Sequence, residues 1–182
     1  LGLVIFANVA MRAFWGTSVP DAIILVRELM VAAILLLGPV VVSTSMFPRQ
    51  AAESRAGGEE ATGRASDLHR ITTTYGMLSL LVPLLGAVVL AFDWDTYKSN
   101  FWFHTAIVLS VIAWAILLAM VIPQQRKMMG TLNALDPAEA DQSDYTSNFE
   151  GAKAKATAGA GIFNLLVIIT LILMYLPSTI FA

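Results

Sequence analysis

From residue 71 to residue 92 the chain carries no Asp, Glu, Lys or Arg, and the same holds for 101–122 and from 156 to 182. A helix needs about 20 apolar residues to cross a hydrocarbon layer of roughly 30 Å. Each run meets that length, and such runs leave a chain of 182 residues one comfortable solvent, the bilayer. Composition agrees. The chain is 57% hydrophobic and 13% charged, against about 45–50% and about 25% in ordinary soluble domains. A soluble domain of this size has too little interior to hide that much apolar surface. The runs stay apolar without the alternation of a membrane β-strand, so a barrel is excluded.

A fourth run, 31–47, is also uncharged, and its pattern reaches back to 21 with only Arg27 and Glu28 interrupting. Residues 1–15 are apolar apart from Asn8 and Arg12 and read as a shorter membrane segment, joined to the next by the turn at 16–20. A secretion signal would place its positive charge before the apolar run, whereas Arg12 follows it. The expected fold is therefore an all-α, polytopic transmembrane bundle of about five helices, near 1–15, 21–47, 68–92, 101–123 and 148–177.

Sidedness follows from positive charge. Arg49, Arg55, Arg64, Arg70, Arg126, Lys127, Lys153 and Lys155 fall in or beside the connections 48–70 and 124–155, while Arg12, Arg27 and Lys98 lie toward the other side. The long connections are expected in the cytoplasm, the C-terminus outward, and the protein in the plasma (inner) membrane. Residues 48–67, rich in Ala, Gly, Glu and Arg, read as a flexible loop. Residues 124–147 read as a second cytoplasmic loop with a helix start at Asp136-Pro137-Ala138-Glu139. Ser147-Asn148-Phe149-Glu150 fits a capping box. It predicts that the last helix begins near Asn148, in water, and projects from the bilayer.

Few residues bear chemistry. Cys is absent and only two His occur, which excludes thiol chemistry, disulfides and cysteine-ligated clusters. A net charge of −2 offers no field for nucleic acid. His69 and His104 are expected at opposite membrane faces as polar interface residues. Phe92, Trp94, Tyr97, Phe101, Trp102 and Phe103 read as an interfacial aromatic belt. No catalytic, cofactor or metal site is predicted. A charge at the bilayer centre costs about 2.5–3.5 kcal/mol, so Arg12, Arg27 and Glu28 have two readings. One is an Arg12–Glu28 or inter-subunit ion pair with Arg27 snorkelling outward. The other is a buried carboxylate serving a small transporter or channel, which the interruptions Gly38-Pro39 and Pro83 with Gly86 would also suit. Ala152, Ala156 and Ala160 recur every four residues, a small face for close helix contact inside the bundle or with another subunit.

The stretches LVRELMVAAILLLGPVVVSTSMFPR (25–49), RITTTYGMLSLLVPLLGAVVLAFDW (70–94) and VIPQQRKMM (121–129) carry a resemblance. Their order resembles a family of bacterial integral membrane proteins of unknown function with four core helices. Size, Ala/Val-rich spans and an acidic cytoplasmic loop are also similar to accessory subunits of the actinobacterial cytochrome bcc–aa3 respiratory supercomplex. The likeness covers about residues 22–175, residues 1–15 exceed the four-helix pattern, and no functional residue is carried over. It implies a non-catalytic, non-enzymatic accessory subunit without cofactor, bound to other membrane subunits.

Overall fold

The computed structural model describes residues 19–92, 94–99, 101–135 and 141–175. These form α1 (Val19–Arg55), α2 (Glu59–Leu78), α3 (Leu81–Phe92), α4 (Trp94–Tyr97), α5 (Phe101–Ile116), α6 (Ile122–Thr131), α7 (Gln142–Tyr145) and α8 (Phe149–Tyr175). A π-helical turn, Leu117–Val121, joins α5 to α6. Among the described residues there is no strand. Four rods result: α1, α2 with α3, α5 with α6, and α8. Their stretches Val31–Arg55, Glu59–Ala91, Phe101–Thr131 and Phe149–Leu173 are each long and apolar enough to cross a membrane. The first rod packs on the second and fourth, and the third on the same two, closing an up-and-down ring. The segment 1–15 and the C-terminal residues 176–182 lie outside the described residues.

The rods are longer than a bilayer is thick. α1 has 37 residues, which at 1.5 Å each makes it about 55 Å long. One end of the bundle gathers Arg49, Arg55, Arg64, Lys127 and Lys153; Lys98 lies at the other. The charged end has its own core, in which Phe47, Ala51, Ala65, Met128 and Met129 are each 0% exposed. A second core, built on Val40, Leu117, Val121 and Phe163, fills the middle.

The connection 48–67, expected as a flexible loop, is helical except at 56–58. Gly57 takes φ 101 there, a left-handed conformation that glycine adopts without a Cβ penalty. The expectation weighed missing bulk and underweighted helix propensity. Alanine is the best helix former, and the ion pair Arg49–Glu53 at 2.9 Å, with its counterpart Glu60–Arg64, stitches each helix at four-residue spacing. Small side chains also let α1 and α2 close on each other, burying Ala51, Ala61 and Ala65.

The connection 124–147 likewise holds more helix than expected. α6 runs on to Thr131 and stops in a Schellman turn at Asn133, φ 53. The N–H of Ala134 returns to the Met129 carbonyl at 3.0 Å and that of Asn133 to Gly130 at 2.9 Å. The start expected at Asp136 lies outside the described residues. A capping box does form nearby, between Asp141 and Asp144. Asp144 is 5% exposed, its carboxylate accepts the Asp141 N–H at 3.0 Å, and it pairs with Arg126 at 2.9 Å. α8 begins where the sequence placed it, but Asn148 is the cap: its Oδ1 accepts the Gly151 N–H at 3.2 Å.

Ala152, Ala156 and Ala160 are 4%, 1% and 4% exposed, so this small face turns into the bundle. The proline breaks divide. α1 continues through Pro39 and Pro48, whereas the second rod breaks at 79–80, one turn before Pro83. Pro83 lacks an N–H and its ring clashes with the carbonyl four residues earlier. The Ser79 carbonyl is taken instead by the Val82 N–H at 3.1 Å.

Candidate functional site

Hydrocarbon offers no hydrogen bonds, so polar groups inside a membrane bundle must find partners within it. On α2 and its C-cap the residues His69, Thr72, Gly76 and Ser79 fall at spacings of three, four and three, which puts them on one face. That face points inward: Thr72, Gly76 and Ser79 are buried and His69 is half-buried. It makes a polar seam through an apolar core.

At the charged end His69 Nδ1 lies 3.3 Å from Gln125 Oε1. The amide oxygen can only accept, so Nδ1 carries the hydrogen. The Phe47 ring lies 6.1 Å from the imidazole. Gln125 is 0% exposed, and its Nε2 has no partner; Gln50 Oε1 is in the same condition. One turn along, the hydroxyls of Ser43 and Thr72 meet at 2.8 Å. Each also reaches a carbonyl on its own helix, Val40 at 3.1 Å and Leu68 at 2.8 Å. Each hydroxyl has one hydrogen, so one serves the pair and the other stays on its backbone. On the α8 side Asn164 Nδ2 donates to Ser45 Oγ at 2.9 Å.

The third level answers the helix break. The Leu80 N–H bonds Met77 O at 3.3 Å, which strands the Gly76 carbonyl. Ser79 Oγ donates to that carbonyl at 2.7 Å and the Trp114 indole at 3.2 Å, the latter from across the bundle. A Cβ on Gly76 would sit 3.0 Å from Leu117 Cδ2, so the close seat of Leu117 depends on glycine.

At the fourth level lies a small cavity, lined by Leu37, Ser79, Val82, Pro83, Ser110, Ala113, Trp114, Phe163, Val167 and Thr170.

Of the residues singled out in the sequence, Arg12 lies outside the described residues, as do the side chains of Arg27 and Glu28 in α1. The two histidines do fall at opposite ends, His104 lying 6.4 Å ring to ring from Trp94. Of the expected aromatic belt, Trp94, Phe101 and Trp102 are 55%, 71% and 37% exposed at the end away from the arginines, whereas Phe103 turns into the bundle at 8%; the side chains of Phe92 and Tyr97 lie outside the described residues. Among the described residues no three His, Cys, Asp or Glu gather to hold a metal. Thr72, Gln125 and Trp114 are not among the residues singled out from the sequence. The available signal was the three-four spacing of polar and glycine positions in an otherwise apolar run.

Searches against protein-family models, curated proteins and solved structures return no match for this chain.

Chemically, the seam fixes helix register. Interhelical hydrogen bonds of this kind contribute about 0.6 kcal/mol on average and up to about 1.7 kcal/mol. A double-mutant cycle on Ser43→Ala and Thr72→Val, read by unfolding in mixed micelles, is expected to return a coupling in that range. The pair Ser43→Ala with Thr157→Ala, where Thr157 Oγ1 bonds its own helix at Lys153 O, should be additive.

Proposed function

We propose that this protein is a non-catalytic integral membrane subunit that packs against the transmembrane helices of a larger complex. The observation that carries the reading is the outward face of α8. Ala154, Ala158, Gly161, Leu165, Ile168 and Ile172 are all exposed and follow at spacings of four, three, four, three and four. That is the stripe by which one helix seats along another. Its first half is small, which lets backbones approach, and a Cβ on Gly161 would meet nothing within 4 Å. Asn164 flanks the stripe. Its amide is only half-buried and uses one of its two N–H donors, on Ser45. A polar group so placed favours a protein neighbour over lipid.

The partner we propose is a helix of a different membrane protein, within a haem-bearing respiratory assembly of the plasma membrane. The similarity of size, Ala/Val-rich spans and acidic loop to accessory subunits supports that choice. With no native Cys, a Gly161→Cys variant gives a clean crosslinking handle. In native membranes it should join a second, different membrane protein, and extraction in mild detergent should recover that protein with haem absorbance. Val111→Cys, on the lipid face of α5 and 48% exposed, should not. A chain that crosslinks only to itself, or purifies as a haem-free monomer active alone, would overturn the reading.

A further inference from the structure

The cavity at the fourth level has a volume of about 20 Å3. Ten residues line it, and three of them bear hydroxyls: Ser79 at the helix break, Ser110 on α5 and Thr170 on α8. Ser79 Oγ spends its hydrogen on Gly76 O and Ser110 Oγ on Ala106 O, at 2.7 Å and 2.8 Å, so each keeps free lone pairs. Thr170 differs. Thr44, Thr72, Thr73, Thr105 and Thr157 each donate to the carbonyl four residues earlier on their own helix. Thr170 is 4% exposed, lines the cavity, and its Oγ1 has no partner.

We infer that this cavity is a binding site for one water molecule, held by Thr170 and shared with Ser110 and Ser79. Three arguments converge. A water needs a cavity of at least about 10–15 Å3 and two to four polar partners, and empty cavities are apolar. This one has the room for one water and three hydroxyls. A buried hydroxyl without a partner loses its hydration for nothing, and a water supplies both the donor and the acceptor that Thr170 Oγ1 lacks. Finally, the site is where the fold needs a strut. Ser79 is nine residues past Arg70, which at the helical rise is about 14 Å deep, near the middle of the bilayer. There the second rod breaks, and the water ties the broken strand of backbone to α5 and α8. The occupant is water and not a lipid chain, because the volume admits one small molecule and the unmet groups are polar.

The sign of a single substitution tests this. Thr170→Val keeps the shape and removes the hydroxyl. With water in place the change strands that water, and the melting temperature of the purified chain in detergent should fall by about 2–4 °C. Thr170→Ser, which keeps the hydroxyl, should stay closer to the parent. A dry cavity gives the opposite sign: removing an unsatisfied hydroxyl raises the melting temperature, and either a rise or no change overturns the inference. A high-resolution density map of the unmodified chain gives an independent measurement. It should show a peak within hydrogen-bonding distance of Thr170 Oγ1, and an empty cavity there would equally overturn the site.

Discussion

Replacing Phe47 with alanine is expected to lower stability by about 3–5 kcal/mol, the usual cost of truncating a buried aromatic residue. Phe47 is 0% exposed and sits with Ala51, Ala65, Met128, Met129 and Phe149 in the core of the charged end. Its neighbours there are chiefly alanine and methionine. The alanine methyls cannot shift into the void, so the flexible methionines, Phe149 and the flanking leucines can refill it only in part. The imidazole of His69, 6.1 Å away, would also lose its aromatic neighbour. The test is the unfolding midpoint in mixed micelles, with Phe101→Ala as the control. Phe101 is 71% exposed at the opposite end, and its loss should change the midpoint little. A Phe47→Ala midpoint equal to that control would mean that the charged end is not a packed core.

The second large effect is expected at Gly130. A Cβ there would lie 2.7 Å from the backbone carbon of Asp144 and 2.8 Å from its oxygen. Backbone cannot rotate aside as a side chain can, so Gly130→Ala must push α7 away from α6. Overpacking of this kind costs about 1–3 kcal/mol. The displaced segment carries Asp144, whose carboxylate holds both Arg126 and the Asp141 N–H. Protease digestion reads the displacement directly: cleavage within 132–147 should speed up, while Gly63→Ala, where an added Cβ meets nothing within 4 Å, should leave the pattern unchanged.

The membrane runs were legible in the sequence because hydrocarbon imposes one demand over 20 residues, and no local interaction competes with it. The helix ends were less so. At 48–67 the missing bulk suggested mobility, but Ala51 and Ala65 are buried because they are small: the inter-helix gap is narrow enough for a methyl group to fill. Asn148 was read correctly as a start, since capping depends on one side chain and its own backbone. The inward turn of Ala152, Ala156 and Ala160 could not be read. A small stripe is equally good against any neighbour, and the choice belongs to the whole bundle. The seam was hidden for a related reason. Its members are contributed by four different rods, so Thr72 with Ser43, or Trp114 with Gly76, become pairs only once the ring has closed.

The π-helical turn at Leu117–Val121 has a consequence for how this sequence can vary in length. Its defining bond, from the Ile122 N–H to Leu117 O, skips one residue more than an α-helix would, so the turn stores a residue. Leu117 before it faces the middle core, and Gln125, Met128 and Met129 after it face the charged-end core. Removing one residue between 117 and 121 would therefore restore a regular i→i+4 helix and leave the residues beyond it in phase. Gln125, Met128 and Met129 would stay turned inward, whereas the same deletion past the turn would swing them by about 100°. The third rod thus accommodates a shorter chain at this turn and not on either side of it.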